Sequence, residues 1–214
     1  MAWFKRDERP APAAAPEPAR AASAAPDAVL VTRAFPKFLN TLNQRDSPVI
    51  VDFGPVIGSN VSFFGERLGC KIFVEDLFAD VERHARAGTR GQLADFFATR
   101  MSQDEASVDG VLCWDLFDFL DKASSIALAS KVARMVRPGG AVFGYFGAAA
   151  ADLTHYSKFF IKSDSEFSVR AYPATPAKRN VLQNRDIMKM FEPLTVAESF
   201  LLKSNMRETL FRRP

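Results

Sequence analysis

The stretch Pro48–Asn60, PVIVDFGPVIGSN, carries the reading of this chain. Val49 to Phe53 is apolar apart from Asp52, two glycines follow at Gly54 and Gly58, and Ser59-Asn60 opens a helical pattern. A buried strand, an acid at its end, a glycine turn and a helix start are how a parallel sheet passes its chain around a ligand. Glycine at such a turn lets backbone approach a ligand with no Cβ between them. The spacing Gly54-Pro55-Val56-Ile57-Gly58 fits neither the GxGxxG dinucleotide pattern nor the GxxxxGK[ST] phosphate loop.

Working outward, the chain alternates strands with helices. Residues 27–46, DAVLVTRAFPKFLNTLNQRD, read as a helix interrupted at Pro36. SNVSFFGERLG is a helix capped by Ser59 or Asn60 and closed by Gly69. CKIFVED is a second strand ending in Glu75 and Asp76. LFADVERHARAG is helical to Gly88, and QLADFFATRM is open between strand and helix. VDGVLCWDLFDFL holds a third strand, Gly110 to Trp114. KASSIALASKVARMVRPGG is an amphipathic helix stopped by Pro138 and two glycines, and AVFGYFG is again a strand. Residues 148–180 read as an irregular insert with one short strand. NRDIMKMF is a short helix, and LTVAESFLLKSNMRETLFRR is a hairpin turning near Ser204 and Asn205. The pattern predicts one α/β domain over residues 28–214, a doubly wound, mostly parallel sheet ending in an antiparallel hairpin. That hairpin and the glycine spacing both oppose a nucleotide-binding oxidoreductase.

With 214 residues and 48% hydrophobic content the chain can bury a full core. A net charge of +3 with no basic tract argues against nucleic acid as a partner. No run approaches the roughly 18 apolar residues of a membrane span, so no stable membrane insertion is expected. Cys70 and Cys113 sit in apolar runs without CxxC spacing, as reduced core residues of a cytoplasmic protein do, and neither they nor His84 and His155 form a metal set. Residues 1–27 are Ala/Pro-rich and too poor in large apolar groups to offset their ordering entropy, which predicts a disordered tail without a secretion-signal core.

Four segments, VIVDFGPVIG, FVED, DGVLCWDLFDFL and VARMVRPGGAVFGYF, together with the terminal hairpin, resemble the class I S-adenosylmethionine-dependent methyltransferases over roughly residues 45–212. The resemblance implies a Rossmann-like sheet, S-adenosyl-L-methionine as cofactor and methyl transfer to a small-molecule acceptor. It implies that Asp52 and the loop residues Gly54, Pro55 and Gly58 border the cofactor. By the same resemblance Glu75 or Asp76 would accept from the ribose hydroxyls, and Asp95 would stand near the adenine amino group. Trp114 and Asp115 would border the methyl group and the substrate. The family's loop is close to Gly-x-Gly-x-Gly, whereas Val56 stands here in place of the middle glycine and Pro55 removes a donor. That departure motivates an alternative, a non-catalytic methyltransferase-like binding or partner module.

Methyl transfer from an activated sulfonium needs mainly positioning, so no triad or metal is required. An oxygen or nitrogen acceptor needs a base, for which Asp115 and His155 are the candidates. Asp115 stands equally where it could cap the next helix, and His155 where it could be a surface residue. The insert carries Tyr156, Phe159, Phe160, Phe167 and Tyr172, suited to walling a pocket, and Lys158, Lys162 and Arg170, which would favour an acidic acceptor. The sequence leaves the acceptor and the oligomeric state open.

Overall fold

A computed structural model describes residues 27–214. The expected tail lies outside the described residues except for Asp27, which accepts from Arg170 Nε (2.8 Å) and Ser168 Oγ (2.8 Å). In chain order the strands are β1 (Ala28–Val31), β2 (Val49–Asp52), β3 (Lys71–Val74), β4 (Val108–Trp114), β5 (Val136–Gly147), β6 (Asp152–Ser163), β7 (Glu166–Lys178), β8 (Thr195–Leu201) and β9 (Met206–Arg212). The helices are α1 (Phe35–Leu42), α2 (Gly58–Leu68), α3 (Leu77–Arg86), α4 (Leu93–Arg100), α5 (Lys122–Met135) and α6 (Asn184–Met190).

The main sheet runs β3-β2-β4-β5-β9-β8. Strands β3, β2, β4 and β5 are parallel, and β9 alone is reversed, since it pairs antiparallel with both β5 and β8. The chain steps outward from β2 to β3 and then back past β2 to β4. Right-handed crossovers therefore place α2 on one face and α4 and α5 on the other. The carboxyl ends of β2 and β4 flank the point of reversal, where an open sheet leaves room for a ligand. Helix α1 packs on the α2 face: Phe35 meets Phe38, Phe64 and Phe143 edge-on or stacked, at ring distances from 5.5 to 6.2 Å. It lies so close to β4 that a Cβ on Gly110 would stand 2.8 Å from Leu42.

Three local readings are corrected. Residues 28–42 form a strand and then a helix, because Pro36 lies in the first turn of α1, where its missing N–H is no loss. Helix α2 is capped by the backbone of Ile57, not by Ser59 or Asn60. Helix α5 stops at Met135, ahead of the Arg-Pro-Gly-Gly run, which already belongs to β5. The ambiguous QLADFFATRM stretch is mainly helix α4.

The largest correction concerns residues 148–180. They form a long hairpin, β6–β7, extended by β1 into a separate three-stranded sheet of order β1-β7-β6. Its alternation is hard to see because the register shifts between Leu153 and His155 and charged residues line the outer side. The hairpin is fastened over the ligand side of the main sheet. The buried side chain of Asn60 donates to Phe159 O (2.8 Å) and accepts from Ile161 N (2.9 Å). Glu82 on α3 accepts from Tyr156 Oη (2.8 Å) and from Thr175 N (2.9 Å). Burial would raise the Glu82 carboxyl, but hydrogen bonds from Thr175, Tyr156 and Arg86 outweigh it and hold it at about 2.

Asn60→Ala leaves two buried backbone groups of β6 unpartnered. Urea unfolding is expected to show a loss of about 2–4 kcal/mol, from a cost of about 1–3 kcal/mol per orphaned group. A loss below about 1 kcal/mol would show that the hairpin is held elsewhere.

Candidate functional site

Asp52 ends β2 with its carboxylate inside the protein. Its Oδ1 accepts from Gly54 N (2.8 Å) and from Trp114 Nε1 (2.6 Å). Burial raises this carboxyl to about 6 against the lowering effect of those two bonds. Trp114 ends β4 with φ of +50°, a left-handed turn that swings its indole back over the loop. A Cβ on Gly54 would lie 2.8 Å from Trp114 Nε1. Gly54 is thus bare so that the chain's own indole can sit against it, which differs from the expectation that this backbone faces a ligand. The indole stacks on Phe159 of β6 (4.9 Å, 9°), and Phe159 stacks in turn on Tyr145 of β5 (5.5 Å, 11°). Val56 points to solvent, 71% exposed, and Gly58 is exposed in the first turn of α2.

The two acids after β3 separate in role. Glu75 is engaged on both oxygens, by Arg100 Nη1 (2.8 Å) and Gln103 Nε2 (2.6 Å), and Arg100 Nε continues to Asp80 (2.8 Å). Asp76 adopts a left-handed conformation and caps α3 by accepting from Ala79 N (3.3 Å). It also lines a cavity of about 180 Å³ with Pro55, Phe78, Tyr156, Ser157 and Lys158. Asp95 is exposed on α4 and lines neither this cavity nor the next.

Ser157 also faces a second cavity, of about 330 Å³, between the ends of β4 and β5 and the hairpin. Its walls include Leu30, Leu153, Phe159 and Val169, and its polar groups are Asp115, Asp118, Tyr145, His155 and Arg179. Asp118 accepts from Gly147 N (2.7 Å) and pairs with Arg179 (2.8 Å). Asp115 is buried, and its Oδ1 has no hydrogen-bond partner. Burial raises its carboxyl to about 7, the charge of Asp118 adds to this, and Ser157 and Arg179 oppose it. Asp115 does not act as a side-chain cap: the 3-10 turn Leu116–Phe119 uses only its backbone carbonyl. His155 is exposed at the cavity wall, with Nδ1 2.9 Å from Thr154 Oγ1.

The structure therefore gathers the two base candidates, Asp115 and His155, at one cavity. It leaves Pro55 and Asp76 at the other, with Asp52, Gly54 and Trp114 packed between the layers. Sequence reading missed Asp118, Tyr145, Ser157 and Arg179. Asp118 lies in the same WDLFDFL run and could have been paired with Asp115, but Arg179 joins them only through the return of the hairpin. The charge expected from the insert goes elsewhere. Arg170 is held by Asp27, Lys162 is exposed, and Lys158 lies over the Tyr172 ring (3.9 Å).

A parallel sheet with a ligand loop after its central strand and one reversed strand second from the edge distinguishes this topology from the all-parallel dinucleotide folds. The chain has the class I methyltransferase fold. No protein-family model and no curated protein matches this chain in sequence. It is similar in structure to a Pyrococcus horikoshii protein (14% identity, 83% of this chain and 89% of that one, TM-score 0.49). It is also similar to the 1,6-didemethyltoxoflavin-N1-methyltransferase of Burkholderia thailandensis, solved with S-adenosylhomocysteine (15% identity, 85% and 77%, TM-score 0.48). A third such structure is DesVI of Streptomyces venezuelae (13% identity, 85% and 92%, TM-score 0.48). Among the described residues of this methyltransferase fold, no helix is long and apolar enough to cross a membrane.

Because the folded Asp115 carboxyl is raised from 3.8 to about 7, the stability tied to its proton is full below pH 3.8 and lost as pH rises through 7. Asp115→Asn removes that dependence. Denaturation as a function of pH is expected to show the variant gaining on the parent from pH 4 to 7, levelling at about 4 kcal/mol above pH 7, at about 1.36 kcal/mol per pKa unit. A constant difference across that range would place the Asp115 proton outside the folding equilibrium.

Proposed function

We propose that this chain transfers the methyl group of S-adenosylmethionine to a small-molecule acceptor. The observation that carries the reading is the free carboxylate oxygen of buried Asp115 in a cavity of about 330 Å³, one residue beyond Trp114 on the ligand side of the sheet. The residues present fit the cofactor in kind. Asp76, the acid open to a cavity, would accept from a ribose diol, and Pro55 would border the nucleoside. In the closed arrangement the cavity beside them, about 180 Å³, is smaller than the roughly 300–1,000 Å³ of ordinary ligand sites. Binding therefore requires the β6–β7 hairpin to rise and the Trp114–Phe159 stack to part.

When bound, the cofactor supplies an activated methyl group on a sulfonium. The rest falls to the chain. Phe159 and Tyr145 exclude water, Asp118 and Arg179 neutralise each other, and Asp115 orients the acceptor and takes a proton from it.

A second reading, a non-catalytic partner module, is favoured by the indole packed on Gly54 and by the engagement of both Glu75 oxygens. Calorimetric titration with S-adenosylmethionine, S-adenosylhomocysteine and NAD separates the two. The methyl-transfer reading expects both sulfur ligands to bind and NAD to give no heat, with altered proteolysis of residues 148–180. Binding of S-adenosylhomocysteine only after Trp114→Ala would instead make the indole a permanent plug and favour the partner module.

A further inference from the structure

Among the described residues the buried acids are Asp52, Asp80, Asp109, Asp115, Asp118 and Glu208. All but one are held by a backbone N–H or a cation. Asp52 has Gly54 N, Asp80 has Arg83 and Arg100, Asp109 has Val49 N, Asp118 has Gly147 N and Arg179, and Glu208 has Arg33 N. Asp115 has no ion pair and no backbone N–H from another residue, and its open oxygen lies at a cavity whose walls are mostly aliphatic and aromatic. Such a group costs stability unless something binds it.

The neighbouring charges do not satisfy it. Arg179 spends its guanidinium on Asp118, on Ala149 O (3.0 Å) and on Met206 Sδ (3.8 Å). Asp118 is complete on both oxygens. Ser157 stands beside Asp115, Tyr145 closes the wall behind, and His155 lies at the exposed rim. The cavity thus sets two carboxyls, Asp115 and Asp118, against the single guanidinium of Arg179, and Asp115 Oδ1, Tyr145 Oη and Arg179 Nε are its buried polar atoms without a hydrogen-bond partner. A carboxylate or phosphate would enter beside a like charge, with the one guanidinium already matched by Asp118.

We propose that this cavity selects an apolar amine, held by an N–H donated to Asp115 Oδ1, as the acceptor class. The proposal rests on the methyl-transfer reading for the use made of the amine, though not for its binding. An amine arriving as ammonium meets an ionised Asp115, which takes one proton and leaves the nitrogen lone pair free. That lone pair forms the N–CH₃ bond, while the C–S bond of the sulfonium donor breaks and its electron pair stays on sulfur as a thioether. The product leaves as the N-methylammonium ion, and Asp115 returns its proton to water after release. A simple alcohol is a far weaker acid than the carboxylic acid that Asp115 would become, so the same base serves it poorly.

The test uses matched single-ring fragments, benzylamine, N-methylbenzylamine, benzyl alcohol and benzoate, followed by amide chemical-shift mapping of the full chain at pH 7.5 without any methyl donor. The amines are expected to shift Leu153, Asp115 and Val169 and to bind at least tenfold more tightly than benzoate. Asp115→Asn is expected to lose that preference by tenfold or more while remaining folded, as its gain in stability above pH 7 reports independently. Benzoate binding as tightly as the amines, no shift with either amine, or amine binding unchanged in Asp115→Asn overturns the proposal. S-adenosylhomocysteine binding without amine preference removes only this inference. Amine binding without S-adenosylhomocysteine binding removes the methyl-transfer reading and leaves an amine site.

Discussion

The carboxylate of Asp52 is the point on which the ligand side of this protein depends. It is buried at the end of β2 and gathers Gly54 N–H and Trp114 Nε1–H onto one oxygen. The first bond shapes the loop after β2. The second turns the last residue of β4 back over that loop, at the cost of a left-handed backbone at Trp114. With the indole so placed, Phe159 has a flat surface to stack on, and the hairpin β6–β7 acquires its seat. Asn60 and Glu82 then pin the same hairpin from α2 and α3. Loop, strand end and hairpin are therefore one coupled unit.

That coupling explains why the two cavities are small and separate. The stack Trp114–Phe159–Tyr145 fills the centre of the cleft, and Ser157 faces the remaining space on either side. Lifting one hairpin would join them. The contacts to be broken are aromatic packing, including Phe167 on Phe35 and Phe143, and a few hydrogen bonds, while the strand pairing of the main sheet does not involve the hairpin. A ligand that supplied equivalent contacts could replace them at modest net cost.

Buried acids do most of the fastening elsewhere. Glu208 on the reversed strand accepts from Arg33 N (3.0 Å) and from the Thr32 hydroxyl, which ties the β1–α1 junction to the main sheet. Asp109 accepts from Val49 N and lies 3.4 Å from Arg137. Against that pattern Asp115 stands out as a buried acid with neither an ion pair nor a backbone N–H from another residue, kept in a place where a neutral residue would pack at lower cost. A functional role accounts for such a group, because it lies at a cavity wall where a ligand can reach it.

The order of elements from Pro48 to Gly147 apart from α4, the strand ends at Asp52 and Trp114, the left-handed close of α2 at Gly69 and the final hairpin were legible in sequence. Each is written in local patterns: an apolar run bounded by turn residues, a glycine with φ of +57°, a switch in period. Asp115 and His155 could be nominated because they sit near a strand end and in the insert that follows. The partners that give them meaning could not. Gly54 looks like a ligand contact until β4 brings Trp114 against it, 60 positions away in the chain. Glu75 looks like a free acceptor until α4 supplies Arg100. The insert looks irregular because its alternation is broken by a bulge and its pairing partner, β1, lies at the other end of the described chain. Short-range propensity sets which elements form, but which acid is spent and which remains open is decided by contacts between residues far apart in sequence, and only the tertiary structure holds those.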